Sequence, residues 1–229
     1  TESLASLVVT GVFASALREA LLAGECDLLV HSFKDLPTSD YPGLTVGAVP
    51  KRADARDAFC ARDGLTLAAL PAGSRVGTGA PRRSAQLRLS RADLEVVDIR
   101  GNVDTRLGRV AEGDLDAVVL AAAGLGRLDR LDAASELFDL ARWPTAPAQG
   151  ALAIEALAEH SAELGSVLRA IDHGPSRMAA LAERAVLARL QAGCSAPIGA
   201  SAVLDGEMLF LSATVYADDG QSFLTSSHA

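Results

Sequence analysis

Cysteine is scarce in this chain: Cys26, Cys60 and Cys194 lie far apart among 229 residues. An odd, sparse set argues against a disulfide framework and points to a reducing compartment. No Cys-x-x-Cys pair and no His-Glu-x-x-His run occurs, which removes the common spacings of a metal site. Aromatic residues make up only 4% of the chain, too few for a platform that stacks single-stranded nucleic acid. The net charge of −8 excludes a global basic field for nucleic acid. No apolar run reaches membrane-spanning length, and Thr1-Glu2-Ser3 does not open a signal peptide. Lysine is nearly missing as well: Lys34 and Lys51 are the only two, and every other cation is an arginine. A GC-rich genome accounts for that count but not for where the arginines sit. An initiator methionine is absent, and the chain is expected to be truncated.

What is present suits a folded protein, with 49% hydrophobic and 22% charged residues. Val12 to Leu22 is predicted as a helix with Phe13, Leu17, Ala20 and Leu21 inward and Arg18 and Glu19 outward. Asp27 to His31 reads as a buried strand, and Leu44 to Val49 as another. From Asp57 the pattern alternates. Strands are expected at Asp57–Ala61, Ser74–Thr78, Leu94–Ile99 and Asp116–Ala121, with helices from Pro81 to about Ser90 and over Val103–Ala111. A Gly-rich turn should follow Ala121. This alternation predicts an α/β sheet with parallel members, whose ligands gather at the carboxyl ends of strands. Trp143 to Gly150 reads as a linker or crossover, and Ala151 to Leu157 as a strand. A long helix is expected from Ser176 to Gln191 with Met178, Leu181, Ala185 and Ala188 as its buried seam. Two strands from Ile198 to Val215 should turn at Asp205-Gly206.

Five segments carry residues with chemistry. His31-Ser32-Phe33-Lys34-Asp35-Leu36-Pro37 lies where a strand gives way to a loop; its Lys34 and Asp35 are either a solvated ion pair or two groups with separate roles. In Thr78-Gly79-Ala80-Pro81-Arg82-Arg83 a strand passes through a tight turn into a helix opened by proline. Two arginines in that first turn oppose the helix dipole, which makes sense if an anion binds there; the alternative is a solvated charged face. Arg100 and Arg106 flank the start of the next helix, and Arg127 follows Gly124-Leu125-Gly126. If the sheet is parallel, Arg82, Arg83, Arg100, Arg106 and Arg127 converge on one rim. Arginine forks there would suit a polycarboxylate or polyphosphate. Finally, Cys194 sits among small residues in Ala192-Gly193-Cys194-Ser195-Ala196-Pro197, either as a small hydrophobe or as a site with room for a group on sulfur.

Taken together, GVFASALREALLAGECDLLVHSFKDLP, RDAF, VGTGAPRRSAQL, IRGNVDTRL, AAAGLGRL, PTAPAQGALAIE and AERAVLARLQAGCSAPIGA resemble the porphobilinogen deaminase family over nearly the whole chain. The resemblance implies two α/β domains of periplasmic-binding-protein type and a smaller α+β C-terminal domain. Their expected bounds are 1–50 with 151–168, then 55–144, then 172–229. It also implies an enzyme that joins four porphobilinogen molecules head to tail into hydroxymethylbilane with release of ammonia, acting as a cytoplasmic monomer without nucleic acid, membrane or metal. By similarity Asp35 is the catalytic carboxylate. Cys194 bears a dipyrromethane cofactor through a thioether. Lys34, Ser32, Thr78, Arg82, Arg83 and Arg100 bind that cofactor, and Arg106 and Arg127 bind substrate. The family's opening strand and last helix have no counterpart here, and Gly79 and Ala80 stand where the family often has serines. Two rivals share parts of this pattern. A non-catalytic anion receptor would need neither Cys194 nor Asp35, and a thiol hydrolase would use Cys194 as nucleophile.

Overall fold

The computed structural model describes residues 14–193, 196–217 and 219–229. A helix α1 covers residues 14–22; the expected start at Val12 and the inward Phe13 lie outside the described residues. Then follow β1 (Leu29–Ser32), β2 (Leu44–Ala48), β3 (Asp57–Ala61), β4 (Arg75–Gly77), α2 (Pro81–Ser90), β5 (Glu95–Val97), α3 (Val103–Ala111), β6 (Ala117–Ala121) and α4 (Ala122–Arg127). The second half holds β7 (Glu136–Leu137), β8 (Leu152–Leu157), α5 (Ala162–Ile171), α6 (Gly174–Arg189), β9 (Ile198–Asp205), β10 (Met208–Tyr216) and β11 (Phe223–His228).

Among the described residues there are three sheets, two of them in α/β units and the third in a smaller α+β unit at the C-terminal end. The first has the order β1-β8-β2, with both pairs antiparallel. Helix α5 closes one face of it: Ala48, Ile154, Ala156 and Leu168 form one core, and a Cβ at Gly47 would come within 2.7 Å of Leu168. The second sheet runs β5-β4-β6-β3-β7. Only β5, β4 and β6 are parallel; β3 opposes β6 and β7. That reversal matters for the site, because Asp57 at the start of β3 pairs with Ala121 at the end of β6. The third sheet is the meander β9-β10-β11, turning through Gly206 at φ +58° as the Asp-Gly dipeptide predicts.

Several expectations need correction. The segment after β6 is the short helix α4, not a glycine turn. Strand β1 is not buried on both faces, since Val30 is 56% exposed. The predicted seam of α6 is on the wrong face, and that of α1 is right at Leu21 but wrong at Leu17 and Arg18. In α1 the buried residues are Ala14, Arg18 and Leu21, while Leu17 is exposed. In α6 they are Ser176, Ala179, Ala180, Glu183, Arg184 and Leu187, while Met178 and Leu181 are exposed. Each inward charge has a partner, so burial is permitted. Helix α5 and strand β11 are additions to the predicted elements. The segment from Trp143 to Gly150 is a crossover between the first two sheets, anchored by the buried Trp143 ring against Phe138 at 4.3 Å.

Candidate active site

Strand β1 ends in a single 3-10 turn, Phe33–Asp35, that presents Lys34 and Asp35 to a cleft of about 330 Å³. The turn is held from behind. Phe33 is buried and its N–H donates to Ala151 O at 3.0 Å. Arg184 of α6 donates to the carbonyls of Phe33, Leu36 and Pro37, each at 2.7 Å, and lies over the Phe33 ring. Burial lowers the Arg184 pKa to about 10, yet it remains a cation at neutral pH. A loop of backbone carbonyls wrapped on one guanidinium is a rigid mount for the two side chains beyond it.

Opposite stand Arg82 and Arg83 in the first turn of α2. They are not a solvated face. Both are buried against Asp57, which is itself fully buried. Asp57 Oδ1 accepts from Arg83 Nη2 at 2.6 Å and from Gln149 Nε2 at 2.8 Å. Its Oδ2 accepts from Trp143 Nε1 at 2.9 Å and lies 2.9 Å from Arg82 Nη1. Burial alone would raise the Asp57 pKa, but the two arginines hold it well below the usual carboxylate range. Burial presses the Arg82 pKa down. Arg83 Nε is buried and has no hydrogen-bond partner among the described residues. Lys34 Nζ reaches the same cluster, 3.3 Å from Gln149 Oε1. Burial first and then the Arg83 charge lower its pKa to about 8.

Arg100 and Arg106 also line this cleft. Arg100 is largely in solvent, while Arg106 is half-buried and donates from Nε to Gly101 O at 2.8 Å. Burial, then Arg83 and Arg100, lower the Arg106 pKa. Asn102 caps α3 through Thr105 N at 2.9 Å, fixing the turn between the two arginines. A Cβ at Gly79 would fall 2.5 Å from Ile99 O, so the turn as it stands has no room for a side chain there. Three expected residues are placed elsewhere. Ser32 is exposed at the end of β1, outside the cleft lining. Thr78 is buried and its Oγ1 accepts from Ala80 N at 3.3 Å, which shapes the turn. Arg127 is exposed and donates to Gly150 O at 3.0 Å, at the crossover. Cys194 lies outside the described residues, but Ala196 and Ile198 beyond it line the cleft with Leu187.

Sequence reasoning missed Asp57, Gln149 and Arg184. One signal was available for Asp57: adjacent arginines that enter a core need an anion, and the strand feeding the neighbouring loop begins with an aspartate.

A family model described as "Porphobilinogen deaminase, dipyromethane cofactor binding domain" matches residues 1–164, and one described as "Porphobilinogen deaminase, C-terminal domain" matches residues 178–227. A porphobilinogen deaminase of Leifsonia xyli is 63% identical over all of this chain, which spans 70% of that protein. Another from Thermobifida fusca is 56% identical over 92% of this chain and 66% of its own length, and one from Mycobacterium tuberculosis is 53% identical over 98% and 75%. Among solved structures, a putative methionine-binding lipoprotein of Bacillus subtilis aligns with a TM-score of 0.45 and 13% identity over 70% of this chain and 76% of its own. The periplasmic aliphatic sulphonate binding protein of Escherichia coli aligns with a TM-score of 0.42 and 19% identity over 77% and 57%. With both family models in sequence along it and relatives above half identity over nearly its full length, the chain belongs to the porphobilinogen deaminase family.

Proposed function

We infer that this chain joins porphobilinogen units head to tail into hydroxymethylbilane, releasing ammonia, as its family does. The observation that carries the reading is the pairing, in one cleft, of a solvent-reachable carboxylate, Asp35, with the cations Lys34, Arg82, Arg83, Arg100 and Arg106. A ligand bearing several carboxylates suits that donor set, and the unpartnered Arg83 Nε leaves one donor to satisfy. Dipyrromethane fits these residues: Lys34, Arg82, Arg83 and Arg100 would hold its carboxylates, and Cys194 would carry it through a thioether. When bound, it supplies the free pyrrole carbon that receives the incoming unit.

Asp35 would stand at the pyrrole nitrogen of the incoming porphobilinogen. As ammonia leaves, positive charge spreads over the substrate ring, and a fixed carboxylate stabilises it where it develops. The same group can hand a proton to the leaving amine and take one from the ring carbon after attack. Arg106 would fork a substrate carboxylate and so fix the ring's orientation. Arg127 is proposed as a further substrate contact reached as the chain lengthens; its place at the crossover supports this. Each added unit brings more carboxylates, which gives a reason for several cations around one acid. The three sheets support a division into 1–50 with 151–168, 55–144 and 172–229. No described helix is long and apolar enough to cross a membrane. We take the enzyme to be a cytoplasmic monomer.

The test is intact mass with substrate consumption. The protein should carry a covalent dipyrrole that Cys194→Ser abolishes, and Asp35→Asn should keep the dipyrrole while turning over about 100- to 1,000-fold more slowly. An anion receptor would bind polycarboxylates without consuming porphobilinogen. A thiol hydrolase would show no dipyrrole mass. Either result overturns the reading.

A further inference from the structure

Glu183 lies outside the cleft lining, yet it is fully buried and its carboxylate is saturated by four donors from three separate segments. Oε1 accepts from Arg52 Nη1 and from Ala202 N, both at 2.8 Å. Oε2 accepts from Arg52 Nη2 at 2.9 Å and from Ala148 N at 2.6 Å. Arg52 belongs to the crossover 49–56, Ala148 to the returning crossover 144–151, and Ala202 to β9.

The two crossovers are the covalent links between the sheet bearing Lys34 and Asp35 and the sheet bearing Arg82 and Arg83, and they touch backbone to backbone. Ala53 N donates to Gly150 O at 3.2 Å, and a Cβ at Gly150, where φ is +86°, would meet Ala53 O at 2.6 Å. Arg52 Nε adds a bond to Gln149 O at 2.8 Å. Ala148 occupies the left-handed region at φ +63°, which an alanine holds only when its surroundings fix it. The bond from its N–H to Glu183 is such a fixture. Strand β9 is seated on the second crossover too: Ala200 N donates to Thr145 O at 2.9 Å, and Gly199 has no room for a Cβ against Pro144 O.

Helix α6, which carries Glu183, and strand β9, which it holds, are the elements on either side of residues 190–197. Cys194 is in that segment by sequence. We propose that Glu183 is a positioning residue that fastens both ends of the Cys194 segment to the hinge between the two cleft walls. A rotation of the walls then either carries α6 and β9 with it or breaks a buried, charge-assisted cluster. The role of the thiol rests on the functional reading above; the mechanical link does not.

Arg52→Gln removes one arm of the cluster without touching β9, so it separates a link from a local contact. Hydrogen exchange followed by mass spectrometry on the full chain should show faster exchange, at least tenfold, in peptides covering 145–151 and 198–203 together. Because Arg52 itself bonds Gln149 O, faster exchange confined to residues 50–54 and 145–151, with 198–203 unchanged, would overturn the link. Glu183→Gln should produce the same pattern more strongly; if it does not fold, Arg52→Gln still decides. For the positioning role, each protein is given limiting porphobilinogen, and the number of added pyrrole units is read by intact mass. Arg52→Gln should shift that distribution toward shorter chains, whereas a purely structural contact would lower the melting temperature and leave the distribution unchanged. An unchanged distribution beside faster exchange overturns the positioning role. A wild-type protein without dipyrrole mass would instead sink the functional reading, and the exchange data would still judge the link.

Discussion

Asp57 Oδ1 and Arg83 Nη2 meet at 2.6 Å with both side chains closed off from solvent, 26 residues apart in sequence. The pairing is possible because β3 runs against β6, which brings its first residue to the rim where α2 begins. Asp57→Asn keeps the shape and leaves two buried guanidinium groups without their anion. Breaking a buried pair from one side typically costs about 3–5 kcal/mol. The urea midpoint of this variant should fall accordingly, and its cofactor loading should fall with it. A midpoint like wild type would mean that Arg82 and Arg83 do not depend on Asp57.

The cations of the cleft should divide into two kinds. Arg82→Leu and Arg83→Leu each remove one of the two cations paired with the buried Asp57, so they should lose stability and cofactor loading together. Arg100 is mostly solvated and Arg106 half-buried, with no carboxylate partner in the core among the described residues. Arg100→Leu and Arg106→Leu should change stability by no more than about 0.5 kcal/mol. Loss of a charge-assisted fork to a ligand carboxylate should still cost about 1.5–3 kcal/mol. In Arg106→Leu that cost should appear in kcat/KM with the dipyrrole mass intact. Parallel denaturation and kinetics on the four variants check the division.

How far the sequence could be read follows the same distinction. Elements with local signals were legible: Pro81 opening α2 and Asp205-Gly206 between β9 and β10. The loops with Lys34, Asp35, Arg82, Arg83, Arg100 and Arg106 were placed correctly at strand ends, because a change of period marks those positions. The face of α6 was not legible, and that of α1 only at Leu21. Hydrophobic periodicity assigns charges to solvent, whereas Arg18, Glu183 and Arg184 point inward to partners more than 100 residues away or to backbone carbonyls. Such partners exist only once the chain has folded. The exposed Leu181 and Met178 then looked like the seam they are not.

Lys34 supplies a pH signature. Its pKa of about 8 makes it a cation below that value and neutral above it. If it holds a ligand carboxylate, kcat/KM should fall as pH rises through about 8. Stability should move the other way. The folded-state pKa lies below the ordinary 10.5, so the unfolded chain binds more protons between the two values, and the Lys34 contribution to stability rises with pH across about 8 to 10.5. Lys34→Arg keeps its charge over this range, so the alkaline limb should move up or disappear. A limb that stays at the same pH in Lys34→Arg assigns it to another group.

Arg18 and Glu155 offer a separate test of how the Asp35 side is held. Arg18 donates to Glu155 from Nε at 3.0–3.1 Å and from Nη2 at 2.8 Å, and Glu155 Oε2 is 3.3 Å from His31 Nε2. Glu155 lies on β8 between Leu29 of β1 and Val46 of β2, so the pair ties α1 to the middle of the sheet that ends at Lys34 and Asp35. Neither residue lines the cleft. Removing one charge leaves the other buried, and Arg18→Met or Glu155→Met alone should each cost about 3–5 kcal/mol. Replacing both by methionine removes the unpaired charge and keeps most of the packing volume, and such apolar exchanges of a buried pair are often near neutral. The double variant should therefore recover most of the lost stability and, with the turn at Phe33–Asp35 still mounted on Arg184, most of the turnover. A double variant as unstable as the sum of the singles would show that the two side chains act independently despite their geometry. Recovered stability without recovered turnover would mean that the charge pair, beyond its packing, sets where Asp35 stands.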